Sequence, residues 1–167
     1  HKHRRRQRQM CIRDSGNVFF NQYSDMIDFI YTIPVRSVNR EIVKGIGAEL
    51  GSNLYIDKTK SNFNFTYSYL NLNEGSDAPM LYRPKHKIRF TWVQQFSLLD
   101  FRLSTRYVSK QLYEDFLSDT HPIEGNTVIF PLETLPETFI SDFSITKTFT
   151  DYDVSIKVKN LFDNLNL

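Results

Sequence analysis

The stretch that decides the fold is "HKIRFTWVQQFSLLDFRLSTRYV", residues 86–108. On either side of its centre, apolar or aromatic side chains alternate with polar or charged ones. A period of two predicts two β-strands, because successive side chains of a strand point to opposite faces. The stretch is therefore predicted to form a hairpin with one apolar and one charged face. The apolar face lines either a protein core or a lipid bilayer, and this choice separates the possible functions.

The register of this hairpin follows from its turn. If residues 97–98 form a two-residue loop, Trp92 faces Leu103 on the apolar side and Arg89 faces Arg106 on the charged side. A shift of one residue would mix the two faces, so the pattern predicts this turn length. The two arginines repel each other unless a carboxylate or water-filled space separates them.

A second hairpin is predicted around residues 150–151. The same construction places Ile145 opposite Ile156, and Asp142 opposite Lys159 on the polar face. A cross-strand pair of opposite charge stabilises a sheet by about 0.2–1 kcal/mol.

Two-residue periodicity extends along the chain and predicts an all-β protein. The predicted strands are 17–29, 40–56, 62–72, 86–96, 99–109, 138–149 and 152–161. Each has ten residues or more, whereas strands of soluble proteins usually have about five or six and membrane-spanning strands need about 9–11.

The predicted connections alternate in length. Those at 57–60, 97–98 and 150–151 are short, 30–39 is intermediate, and 73–85 and 110–137 are long and polar. Short turns at one end and long loops at the other are typical of an antiparallel up-and-down transmembrane β-barrel.

The first fifteen residues are interpreted as foreign to the gene. "RRQRQMCIRDS", residues 5–15, resembles the translation of a transposase library adapter. Residues 1–15 are therefore predicted to be a sequencing-adapter artefact and are excluded from the fold prediction. The alternative is a basic arm that binds nucleic acid or a membrane surface.

This exclusion changes the charge balance. The whole chain has 21 basic and 19 acidic residues, but six of the basic residues and one acidic residue lie in residues 1–15. The remaining 15 basic and 18 acidic residues give a net charge of −3. No nucleic-acid partner is therefore expected. The single cysteine, Cys11, also lies in the excluded segment.

No catalytic residue is predicted, and neither is a metal site or a cofactor. His86 and His121 have no cysteine or closely spaced histidine beside them, and Glu114 and Asp115 have no base or nucleophile. No phosphate-binding or hydrolase motif is present. The protein is not expected to be an enzyme.

The two predicted faces supply the candidate site residues. Eight charged residues are predicted to face a water-filled lumen, where they solvate the wall, contact a plug domain or steer an anionic ligand: Lys87, Arg89, Asp100, Arg102, Arg106, Asp142, Lys157 and Lys159. The predicted lipid-facing residues are Phe63, Phe65, Tyr67, Ile88, Phe90, Trp92, Phe101, Leu103, Tyr107, Phe143, Ile145, Phe149, Tyr152, Val154, Ile156 and Val158. The cluster "RPKHK", residues 83–87, is read as a charged rim, or as a site for lipopolysaccharide phosphates or a ferric chelate.

Four motifs resemble the TonB-dependent outer-membrane receptors, in the order in which that family has them. They are "FFNQYSDMI" (19–27), "GIGAEL" (45–50), "LYRPKHKIRFTW" (81–92) and "VSIKVKNLFDN" (154–164), and "RYVSKQ" (106–111) also fits. Residues 16–167 are therefore expected to be a C-terminal part of such a receptor's β-barrel.

The resemblance implies a cell outer membrane location in a Gram-negative bacterium. That family imports scarce nutrients such as ferric siderophores or cobalamin. Its partners would be outer-membrane lipid, a small-molecule ligand such as a metal chelate, and the TonB complex acting through a plug domain. The family's barrel has 22 strands, so the seven predicted strands would be strands 15–21. The resemblance further implies that residues 16–167 are a fragment that lacks the plug, the TonB box and the final strand of such a receptor.

Two alternatives stay open at this point. A soluble β-sandwich or lipocalin-like binding module would bury the apolar face in its own core. A passive porin-like or adhesive barrel would span the membrane without a TonB box.

Overall fold

The computed structural model describes residues 10–73 and 79–162, and their regular structure is entirely β. The strands are β1 (Met10–Ile30), β2 (Thr32–Ile33), β3 (Arg36–Ile56), β4 (Ser61–Asn73), β5 (His86–Gln95), β6 (Asp100–Val108), β7 (Gln111–Glu114), β8 (Ile123–Glu124), β9 (Thr127–Ile129), β10 (Leu132–Leu135), β11 (Thr138–Thr148) and β12 (Asp153–Val158). Within the described ranges, no helix is long and apolar enough to cross a bilayer.

The seven longer strands form one antiparallel sheet in the order β1-β3-β4-β5-β6-β11-β12. Each strand of this main sheet lies beside the one that follows it, so the chain runs up and down. The all-β, antiparallel prediction is confirmed. Because strand directions alternate, the short connections 57–60, 96–99 and 149–152 share one end of the sheet, here called the turn end. The longer connections share the opposite end, called the loop end.

Both predicted hairpin registers are confirmed. Trp92 lies opposite Leu103 and Arg89 opposite Arg106. At the first turn, the Phe96 amide donates to the Leu99 carbonyl at 2.9 Å. Ile145 lies opposite Ile156, and the ladder continues to the bond from the Phe149 amide to the Tyr152 carbonyl at 2.8 Å. The period of two therefore sets the register across both turns.

The start of β1 differs from the prediction. β1 begins at Met10 instead of residue 17, and β3 begins at Arg36 instead of residue 40. Residues 10–15 pair with 51–56 of β3, because an exposed strand edge offers main-chain partners whatever the side chains. Pairing of this kind does not distinguish native from foreign residues, so the adapter interpretation stays a prediction.

The end of β12 also differs. The predicted strand 152–161 stops at Val158, and the predicted Asp142–Lys159 pair is wrong. The chain turns at Asn160, whose φ is 50°. The Asn160 amide then donates to Oδ1 of Asp142 at 3.0 Å, and the Leu161 amide donates to the Ser141 carbonyl at 2.7 Å.

The predicted loops contain five short strands that were not among the predicted strands. β2 pairs with β9, β9 with β8, and β10 with β7. Backbone groups that leave the main sheet still need hydrogen-bond partners, and long connections supply them to one another. These two small sheets and residues 79–85 are together called the loop layer.

The main sheet lies largely uncovered. Val43, 1% exposed, is the only fully buried apolar side chain in the described ranges. The accessible surface is 13218 Å², against roughly 8,600 Å² expected for a compact monomer of 19.8 kDa. The described chain therefore has two large exposed faces and no central core between layers.

Candidate functional site

Seven of the eight charged candidates lie on one face of the main sheet, called the charged face. Cross-strand partners share a face, and the ladders connect Arg89 with Arg106, and Arg102 with Ser144, which in turn lies opposite Lys157. The same alternation places Lys87, Asp100 and Asp142 on this face. Lys159 lies just beyond the end of β12 and is exposed.

Arginines dominate the middle of the charged face. Arg89, Arg102, Arg106 and Asp142 line a cavity of about 590 Å³, together with polar side chains of β3, β4 and β5. β5 and β6 supply the arginines, and β11 supplies the carboxylate. This cavity can accommodate a ligand of several polar groups.

The sixteen apolar candidates lie together on the opposite face, called the aromatic face. Their rings form a continuous row across four strands. Phe63 of β4 stacks on Trp92 of β5 with 5.9 Å between centroids, Trp92 contacts Phe101 of β6 at 4.7 Å, and Phe101 contacts Phe143 of β11 at 5.0 Å. Such aromatic cross-strand pairs stabilise a sheet.

Many side chains of this face remain exposed. Val18 is 76% exposed, Phe20 64% and Ile156 66%. An apolar surface of this extent is characteristic of contact with lipid or another protein.

Two polar pairs interrupt the aromatic face and were not predicted. The Thr105 and Ser141 hydroxyls bond at 3.1 Å, and Ser141 is only 2% exposed. Near the turn end, the Ser61 hydroxyl donates to Gln94 Oε1. Both pairs satisfy their hydrogen bonds locally, so the surface stays apolar. The alternation of faces could be predicted from the sequence. These two pairs could not be predicted, because their partners lie 33 or more residues apart.

The loop layer contains a second group of ionisable residues that sequence reasoning missed. Arg40, 2% exposed, bonds to Asp28 through a guanidinium–carboxylate contact of 2.8 Å. Glu114 lies close by and is 6% exposed. Burial raises the pKa of the Glu114 carboxyl, and the charge of Asp28 raises it further, against the lowering effect of the Tyr31 backbone amide. Glu114 was predicted to lie in a loop, and no pattern in the sequence indicated that it is buried.

The histidines have aromatic neighbours. His86 Nδ1 bonds to the Tyr67 hydroxyl at 2.9 Å, and the His86 ring packs on Tyr69 at 5.2 Å. His121 packs edge-on against Phe130 at 5.1 Å. In residues 10–73 and 79–162, no three His, Cys, Asp or Glu residues are grouped to hold a metal ion.

Comparison with protein-family models and with curated proteins returned no match for this chain. The relation to TonB-dependent receptors therefore rests on the sequence motifs alone and is used below only as part of a proposal.

Proposed function

We propose that this chain is part of an outer-membrane active-transport receptor, energised through TonB, that takes up a scarce nutrient such as a ferric siderophore or cobalamin. The main sheet would form about seven of 22 strands of a transmembrane β-barrel. Residues 1–15 would be foreign, and a plug domain and a final strand would complete the native protein.

One observation carries the proposal: a single uncovered sheet with an aromatic face and a charged face. A soluble sandwich needs a second sheet packed about 10 Å from its apolar face, and none covers that face in the described ranges. A transmembrane barrel needs lipid on the apolar face and water on the polar face. Strand lengths of 9–21 residues in the main sheet, apart from β12, are sufficient to cross a bilayer.

The arrangement of the ends supports the same proposal. The turn end has three short connections, whereas the loop end contains the loop layer. In an outer-membrane barrel the long loops lie outside the cell and the short turns lie in the periplasm. The loop layer would capture the ligand, and the charged face would line its path once the plug rearranges.

The fluorescence of Trp92 tests the membrane part of this proposal. Trp92 is the only tryptophan and lies in the ring row of the aromatic face. The protein is refolded into vesicles of ordinary or brominated phosphatidylcholine, where bromine quenches only indoles near acyl chains. We expect strong quenching by the brominated lipid and little quenching by aqueous iodide.

A matched control moves the indole to the other face. The double variant Trp92→Phe and Thr91→Trp places it on the charged face, where lipid quenching should fall and iodide quenching should rise. Equal quenching of the two proteins, or a protein that stays in solution with Trp92 shielded from both quenchers, would favour the soluble β-sandwich or lipocalin-like module.

A second test separates active transport from a passive porin-like barrel. The source DNA is sequenced upstream of Gly16 and beyond Leu167. A plug domain with a TonB box upstream and a final strand ending in an aromatic residue are expected. A barrel gene that lacks both the plug and the TonB box would contradict the proposed energy coupling.

A further inference from the structure

Two adjoining cavities on the charged face share a pair of arginines. Arg89 and Arg106 line the cavity described above and also a second one, likewise of about 590 Å³. Arg102 adds a third cation to the first cavity, and Lys87 adds one to the second. We call Lys87, Arg89, Arg102 and Arg106 the basic cluster. Its charge is not a bulk property, because residues 16–167 have more acidic than basic side chains.

The basic cluster has little compensation from neighbouring acids. Glu49 lines the second cavity and Asp142 the first, so four cations face two carboxylates. The ion pairs within the described ranges do not involve the cluster. Asp142 already accepts a hydrogen bond from the Asn160 amide. A net positive charge therefore remains on this part of the sheet.

The register makes this excess charge costly. Arg89 and Arg106 lie directly opposite each other on neighbouring strands, where like charges destabilise a sheet. Their side chains are exposed, so a solute can reach them. An anion placed between two guanidinium groups would remove the repulsion and receive forked hydrogen bonds from both.

Most of the remaining lining of the first cavity is polar and can complete such a site. The first cavity is also lined by Asn64, Thr91 and Ser104, whose amide or hydroxyl groups can donate to oxygen atoms. The site thus combines excess positive charge with three side chains that can donate hydrogen bonds to an anion.

We propose that the basic cluster binds a small multivalent anion that has two or more carboxylate or phosphate groups. Guanidinium groups match the geometry of both kinds of oxyanion, and a multivalent anion would span the Arg89–Arg106 pair and Arg102. That this anion is transported cargo rests on the proposed function. The binding itself requires only that the charged face be exposed to water.

Calorimetric titration of the refolded protein in octyl glucoside, a neutral detergent without phosphate, tests the binding. The probes are citrate and pyrophosphate. We expect at least one to bind, and sodium chloride to weaken it. Arg89→Gln and Arg106→Gln should each weaken binding by about tenfold or more, the effect of losing one charge-assisted contact. Lys147→Gln, which removes one positive charge from the aromatic face, where Lys147 lies opposite Val154, should have no effect.

Two further measurements keep the test valid if a variant folds poorly. Circular dichroism checks that each variant is folded, and the binding of Arg106→Lys is compared with that of Arg106→Gln. The lysine variant retains the charge without the forked geometry, and it should bind more tightly than Arg106→Gln and more weakly than the native protein. Absence of binding to both probes would overturn the proposal, as would an equal loss of affinity in Lys147→Gln. Binding of polyglutamate without either small anion would also overturn it, in favour of an acidic polypeptide segment on this face.

The two proposals fail separately. Anion binding without lipid quenching of Trp92 would reject the membrane receptor and retain the anion site. Lipid quenching without anion binding would reject the anion site and retain the membrane receptor.

Discussion

At the scale of single residues, close packing on the charged face depends on glycine. Near the loop end this face becomes apolar, and Phe19, Val43, Leu70 and Leu72 line a small cavity there. The Phe19 ring lies over Gly47, its cross-strand partner, and a Cβ at residue 47 would lie 2.6 Å from ring atom Cε2. An aromatic ring that covers a strand glycine compensates for the missing side chain.

Gly47→Ala should therefore destabilise the protein by about 1–3 kcal/mol, the usual cost of overpacking. The measurement is the urea unfolding midpoint in micelles. In a Phe19→Ala background the same change should cost much less, because the ring is gone. Equal costs in both backgrounds would show that Phe19 does not set the constraint.

Glu114 should make the loop layer sensitive to pH. Its pKa is raised above the ordinary value of 4.5, chiefly by burial. The folded state then holds the proton more tightly than the unfolded state, so this contribution to stability is complete below about 4.5 and is lost as pH rises through the folded pKa. Glu114→Gln should remove that loss and slow hydrogen exchange of loop-layer amides at alkaline pH.

The control for this prediction is Glu133→Gln, which changes an exposed carboxylate of β10. It should leave the pH dependence of exchange unchanged. An identical pH profile in the native protein and Glu114→Gln would contradict the assignment to Glu114.

At the scale of elements, the alternation within β6 should matter more than its composition. Leu103 lies opposite Trp92 on the aromatic face, and Ser104 lies opposite Thr91 on the charged face. Exchanging them, by Leu103→Ser with Ser104→Leu, should lower stability by about 1–3 kcal/mol, because the leucine loses its apolar surroundings. Thermal unfolding in micelles measures this change.

A comparable exchange in the loop layer serves as the control. Glu133 and Thr134 are both exposed in β10, so exchanging them should alter stability by less than about 0.5 kcal/mol. If the two exchanges cost the same, the faces of β6 do not differ in environment.

At the scale of the whole molecule, the main sheet is open at β1 and β12. Unpaired strand edges associate with other chains, and they are not tolerated in lipid. We predict that the chain aggregates in detergent-free buffer and becomes monodisperse, or forms defined oligomers, in micelles. Sedimentation velocity in both conditions measures this, and a soluble monomer without detergent would count against the membrane proposal.

The sequence by itself determined the all-β class, the seven main strands and the faces of their side chains. Local alternation encodes these features, and a one-residue shift of β5 would have moved Trp92 to the charged face and Arg89 to the aromatic face. The register of the two hairpins followed from their turns, since a two-residue loop leaves a single pairing that keeps the faces separate.

Only the tertiary structure decided which distant residues meet. The Arg40–Asp28 pair, the burial of Glu114 and the Thr105–Ser141 bond depend on contacts between separate strands or loops. The turn at Asn160 replaced a predicted strand end, because a hydrogen bond to the side chain of Asp142, 18 residues away, competed with the ladder. Pairing within the loop layer could not be predicted, because strands of two to four residues are too short to show a periodicity. They find their partners only once the sheet brings them together.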